Sequence, residues 1–310
     1  MPLNLPLEEV RAYFGHLGVQ RYEVMETLLT SDAASGQTIA LEYLGLTQEE
    51  ANIITGVTTG GPVGTLSPAN DWDFWGLQET GNDIIDQSDG TAPPARGDWD
   101  VVLQRVSIFT QQSGLSYQEL LELLGTSFIN PAGFAGTPGR RLLGIVSAAN
   151  AAVDTCNLSK LEIQVLIDNS ILTKRDALIA AWNRMHRFVR LWRKLGWTMR
   201  DLDRAMTAQP KNNKGELELN VLLKNLSHIQ RLHVETSLPV VNLLAWWADI
   251  DTVHYVDQMA DGEPTVASLY AQLFSNKTVS GQVVGENPEA LSGTLAGKGS
   301  GHCGRAPDRR

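Results

Sequence analysis

Five times along this chain an apolar residue is followed by serine or threonine and, three positions later, by a carboxylate. The instances are Leu46-Thr47 with Glu50, Leu115-Ser116 with Glu119, Leu158-Ser159 with Glu162, Leu172-Thr173 with Asp176, and Trp197-Thr198 with Asp201. In such a box the hydroxyl accepts from the third backbone N–H of a new helix, and the carboxylate reaches back to the cap N–H. The carboxylate also faces the positive end of the helix dipole. Each preceding apolar residue has a staple partner at the fourth helical position: Ala51, Leu120, Ile163, Ala177 and Leu202. A cap is worth roughly 1 kcal/mol, so five of them predict an all-α chain with almost no strand. Two further starts, Gln20 with Glu23 and Ser237-Leu238-Pro239, lack the full box but agree in type. The starts are unevenly spaced, which excludes a fixed-period solenoid and predicts an irregular multi-helix assembly of capped helix-turn-helix units.

The assembly is organised around Trp182 to Met206. At about 100° per residue, Trp182, Met185, Phe188, Val189, Trp192 and Leu195 share one broad face. Trp192 lies mid-arc and is expected to be buried. Arg184, Arg187, Arg190, Arg193 and Lys194 take the opposite face. Gly196 supplies the left-handed C′ residue that stops the helix, and Trp197-Thr198 start another at once. The basic face over 184–194 has two readings. It pairs with acidic helices of this same chain, or it docks on an acidic partner or an anionic lipid surface. Intramolecular pairing is favoured, because residues 1–100 hold 16 Asp/Glu against 3 Lys/Arg.

That acidic first third, followed by a near-neutral remainder, argues against nucleic acid as a partner, since phosphate binding needs a net basic face. Four regions are expected: an N-terminal helical part over 1–54, a loop-rich connection over 55–97, a main helical region over 98–280, and a disordered glycine-rich tail over 281–310. Helices are predicted over 7–14, 21–29, 37–43, 101–111, 117–124, 142–152 and 217–233. Trp246-Trp247 read as core or interface anchors. No apolar run approaches the length needed to span a membrane, and Met1 opens no charged-then-apolar signal segment.

Catalytic and metal patterns fail one by one. Gly56 and Gly61 have Walker-like spacing, but Pro62-Val63 stand where Lys-Ser/Thr would hold phosphate and Mg²⁺. The acid clusters Asp71/Asp73, Asp83/Asp86/Asp89 and Asp257/Asp261 lack the glutamate that closes a calcium loop. His228 and His233, five apart, turn away from each other on a helix. His302-Cys303 lacks two further zinc ligands. Cys156 precedes a capped helix that would favour its thiolate, yet no partner histidine stands out. An enzyme centred on Cys156 or the 55–97 loop is therefore the least supported alternative, and no catalytic, cofactor-binding or metal residue is assigned.

The same residues resemble a known family. The stretches 5–21 (L-P-L-E-E-V-R-A-Y-F-G-H-L-G-V-Q-R), 73–77 (D-F-W-G-L), 114–131 (G-L-S-Y-Q-E-L-L-E-L-L-G-T-S-F-I-N-P) and 186–198 (H-R-F-V-R-L-W-R-K-L-G-W-T) look like the A subunits of insecticidal toxin complexes. So do 238–252 (L-P-V-V-N-L-L-A-W-W-A-D-I-D-T) and 268–276 (S-L-Y-A-Q-L-F-S-N). The family is related in part to the virulence plasmid A proteins. The resemblance covers roughly 3–280, with the motifs in order. It implies a shell segment of a very large secreted or surface-displayed chain that assembles as a pentamer with further toxin-complex subunits. Such relatives bind host cells, form a translocation channel and deliver a toxic payload, through channel and receptor-binding parts that this sequence does not contain. A fragment is the expectation, without enzymatic chemistry and unable to form the pore alone. A free-standing helical interaction protein using the basic face is the alternative.

Overall fold

A computed structural model describes residues 4–29, 33–56, 70–89, 92–131, 141–147, 157–166, 174–209, 219–252, 255–256 and 265–275. Among them helix accounts for 61% and strand for 9%, so the all-α class holds. The chain divides into two units, Met1–Leu243 and Leu244–Arg310, and the boundary falls inside the 98–280 region. The tail over 281–310, Cys156, Cys303, His302, Asp257, Asp261 and the Thr173 cap lie outside the described residues.

The first unit opens with α1 (Leu5–His16), α2 (Arg21–Leu28), α3 (Ala33–Tyr43) and α4 (Gln48–Thr55). A 3-10 turn (Asp71–Trp75) and a hairpin of β1 (Asn82–Ile84) with β2 (Ala95–Gly97) follow, so the 55–97 connection carries short structure of its own. Next come α5 (Trp99–Val102), α6 (Val106–Ser113), α7 (Tyr117–Gly125), β3 (Leu143–Ser147) and β4 (Leu161–Val165). The unit ends with α8 (Lys174–Leu195), α9 (Met199–Thr207), α10 (Leu219–Thr236) and most of α11 (Val240–Leu244). In the second unit β5 (Tyr255–Val256) pairs antiparallel with β6 (Thr265–Val266), ahead of α12 (Leu269–Phe274).

The caps form in full as the spacing predicts at two sites and in part at a third. Thr47 Oγ1 accepts from Glu50 N at 3.0 Å while Thr47 N donates to Glu50 Oε2 at 2.9 Å. Ser116 and Glu119 exchange the same two bonds. Thr198 accepts from Asp201 N, but the Asp201 carboxylate takes the Thr198 hydroxyl rather than the cap N–H. The staple residues Leu46, Leu115, Trp197, Leu120 and Leu202 are all buried.

Four expectations need correction. Ser159 with Glu162 opens no helix: Leu158–Lys160 form a 3-10 turn that runs straight into β4. Leu161, Ile163 and Val165 alternate with polar residues at period two, and the two leading members of that set are fully buried, so burial of one strand face overrides the cap signature. Its partner β3 occupies part of the predicted helix 142–152, in antiparallel register from Leu143↔Val165 to Ser147↔Leu161. The predicted helix 101–111 is two helices broken at Leu103–Arg105, because Gln104 O accepts from Ile163 N at 2.7 Å and Arg105 bridges Glu162 on the outer edge of β4. Trp192 is half-buried, whereas its neighbour Leu191 is buried. Periodicity gives the direction of a side chain around the axis, not where along the axis its neighbours end.

The core of the first unit centres on α8. Trp182, Met185 and Phe188 are completely buried, together with Phe109 and Ile108 from α6 and Leu120 and Leu123 from α7. Trp182 stacks on Phe109 with centroids 5.4 Å apart, Trp75 meets both rings, and Phe188 stacks on Phe128 at 6.2 Å. Gly196 has φ +67°, and α9 follows Thr198, so the helix-stop-helix unit forms as the sequence predicts.

Candidate functional site

The strongest charge feature of the sequence, the basic face of α8, is closed by the chain itself. Arg184, Arg187 and Arg190 are half-buried, and burial pulls each guanidinium below its ordinary pKa. Three members of the basic row, Arg187, Arg193 and Lys194, meet the C-terminal ends of other helices. Arg193 Nη2 donates to Ser113 O at 2.8 Å and Gly114 O at 3.2 Å, where α6 ends. Lys194 Nζ donates to Gly45 O at 3.0 Å, just past α3. Arg187 lies over Gly56, the left-handed C-cap of α4, so closely that an added Cβ would fall 2.5 Å from Nη1. Arg184 Nη2 donates to Ile129 O at 3.0 Å. Helix C-termini carry unpaired carbonyls and the negative end of the dipole, so a row of cations is their natural complement.

Carboxylates take a smaller share. Lys194 pairs with Glu50 at 3.2 Å, and Asn183 donates to Asp71 at 3.0 Å. Asp71 and Glu50 also oppose the burial effect at Arg187 and Arg190 respectively. The sequence signal for the dipole contacts lies in the glycines at 45, 56 and 114, but pairing each with a particular cation requires the tertiary arrangement. An acidic partner on this face would have to displace α4 and the 3-10 turn, since both pack on α8. Only Arg193 and Lys194 of the basic row remain exposed.

His186, on the same helix, carries no site signal in the sequence. It is 4% exposed and stacks on Phe74 with centroids 4.2 Å apart and planes 13° from parallel, and Trp75 meets it edge-on. Neither ring nitrogen has a hydrogen-bond partner among the described residues. Burial, with the charges of Arg187 and Arg190 adding to it, pushes its pKa down to about 3. The imidazole is therefore a neutral aromatic ring at physiological pH. Arg190 Cζ sits 5.8 Å from the centre of Phe74.

Two buried aspartates serve the scaffold. Asp203 on α9 accepts from Ser127 N and Phe128 N, fixing the turn after α7; burial nevertheless raises its pKa. Asp86 is buried too, but hydrogen bonds from Ser107 and Ser88 outweigh that burial and lower its pKa. His228 lies on α10 with its pKa lowered by burial, and His233 Nδ1 donates to Leu238 O at 2.6 Å, so the two do not converge. Among the described residues no group of three or more His, Cys, Asp or Glu is placed to hold a metal ion. No helix among them is long and apolar enough to cross a membrane.

Trp246 and Trp247 do not enter a core: they are 65% and 49% exposed. Their rings lie 6.1 Å apart in the second unit. Compared with profiles of known families, with characterised proteins and with solved structures, the chain matches none.

Proposed function

We propose that the chain is a structural, non-catalytic shell segment of an insecticidal toxin-complex A subunit, working with further copies of itself and with other toxin-complex subunits outside the producing cell. The observation that carries this reading is how three of the resembling stretches meet. Phe74 and Trp75 from 73–77 pack on His186 of 186–198, and Phe128 from 114–131 packs on Phe188 of the same stretch. Residues that carry a family resemblance, and that form one contact set, behave as a unit selected for architecture. The helical class agrees with a shell.

Grafting residues 3–280 in place of the matching stretch of a full-length toxin-complex A subunit tests the proposal. The chimera is expected to assemble into fivefold particles by electron microscopy. A chimera that folds, by its circular dichroism and protease resistance, but stays monomeric would sink the reading. The purified chain alone is expected to leave planar bilayers silent, because its basic helix would carry charges into hydrocarbon. Discrete single-channel steps from it would show that this segment is more than shell.

A further inference from the structure

The α1–α2 hairpin is built the wrong way round for an isolated protein. Neither helix contributes a single buried residue to the core. On α1 the inward arc holds Leu7, Arg11 and Phe14, all half-buried. Arg11 turns from there to Glu42, giving it two hydrogen bonds of 2.9 and 3.1 Å. The outward arc holds Leu5, Val10, Tyr13 and Leu17, exposed by 58, 40, 73 and 72%. Leu28 and Leu29 at the end of α2 add to the exposed apolar surface. Exposed apolar surface gathered on one helix face marks an interaction site.

The charges on the hairpin say what covers it. Its exposed ionised residues are all carboxylates: Glu8, paired with Arg11 at 2.6 Å, Glu26, paired with Arg231 at 2.7 Å, Glu23, which holds the Gln20 cap N–H, and Glu9. Both arginines, Arg11 and Arg21, are drawn inward onto the same Glu42. Glu9 sits within the outward arc, between Leu5 and Tyr13 in helical projection, with no partner among the described residues. From this juxtaposition we propose that the outward face of α1–α2 docks an amphipathic helix of a partner protein whose apolar stripe is flanked by lysine and arginine. An anionic membrane is disfavoured by the same carboxylates. A second copy of this chain is a poor occupant, because its own basic amphipathic helix, α8, has its arginines half-buried against itself. The proposal does not depend on the shell reading.

A model amphipathic helix of leucine and lysine, titrated against the full chain by fluorescence anisotropy, tests it beside a leucine–glutamate helix of the same design. The lysine peptide is expected to bind, with affinity falling as salt rises. The glutamate peptide should bind about tenfold more weakly or worse. The charge-preserving variant Tyr13→Ser/Leu17→Gln should lose about tenfold for the lysine peptide, and Glu9→Gln should lose a smaller factor. Circular dichroism of both variants is expected to match the parent, since the residues changed are exposed. Three results would overturn the proposal. The lysine peptide binds no better than its acidic counterpart; the double variant binds it unchanged, so that overall acidity is the cause; or the chain self-associates in a way the double variant abolishes, giving the face to a second copy.

Discussion

Helices α8 and α1 are both amphipathic, and they solve opposite problems. Helix α8 is enclosed so widely that ten of its residues are buried; three of its arginines are half-buried, and its basic row meets the ends of α3, α4 and α6. Helix α1 buries none and presents its apolar arc outward. The spacing of apolar residues says only that a helix has two faces. Which face meets protein and which meets solvent is decided by the charges opposite: α8 finds helix C-termini, whereas α1 finds Glu42 and the Leu46 carbonyl through Arg11 alone.

The largest expected effect sits where the two helices differ most. Trp182 is completely buried and touches Phe109 and Trp75. Trp182→Ala should therefore cost about 3–5 kcal/mol in denaturant unfolding, far above any truncation on the outward arc of α1. A cost below about 1 kcal/mol would mean that α8 is not enclosed and would erase the contrast.

Next comes pH. The His186 pKa is about 3 in the fold against 6.5 for the free side chain. Between those values the unfolded chain binds a proton that the folded chain refuses, so stability falls as pH drops below about 6.5. By pH 5 this single group should remove about 2 kcal/mol. His186→Phe keeps an aromatic ring against Phe74 and has nothing to protonate. Urea melts at pH 7 and pH 5 should show the variant losing about 2 kcal/mol less than the parent. Equal losses would assign the acid sensitivity to carboxylates elsewhere.

A third test asks whether the basic face of α8 is closed on helix ends. Gly56 holds φ +70° beneath the Arg187 guanidinium. Gly56→Ala should cost about 1–2 kcal/mol from the left-handed backbone, plus whatever it takes to move that guanidinium. In an Arg187→Met background the extra part should disappear. A double-mutant cycle with no coupling would say that Arg187 does not rest on the α4 terminus.

How much of this is legible in the sequence follows from the range of the signals. Caps at Thr47, Ser116 and Thr198 and the stop at Gly196 are local, so spacing alone finds them. Ser159–Glu162 carries the same local signature and misleads, because the alternation of Leu161, Ile163 and Val165 buries a strand face against α6 and α8, while β3 and residues 104–105 pair with the strand's edges. The basic row on α8 is visible in the sequence, and the acidic first third favours its intramolecular closure. Its partners, carbonyls at 45, 113, 114 and 129, lie tens of residues away and carry no charge that composition could show. His186 is hidden for the same reason: what makes its ring exceptional is Phe74, more than a hundred residues upstream.

The smallest expected effect is on α1, and its smallness is the point. Leu17 is 72% exposed. If the outward arc is bare in the isolated chain, Leu17→Gln should change stability by less than about 0.5 kcal/mol, as surface substitutions do. A buried leucine on α8 or α7 would lose about 2–5 kcal/mol on comparable truncation. Equilibrium unfolding of the variant at two protein concentrations separates the cases. A loss above about 1.5 kcal/mol, growing with protein concentration in the parent only, would mean the arc is already covered by association. In that event α1 and α8 would no longer be opposites, since both would be helices enclosed by protein, one within the chain and the other between chains.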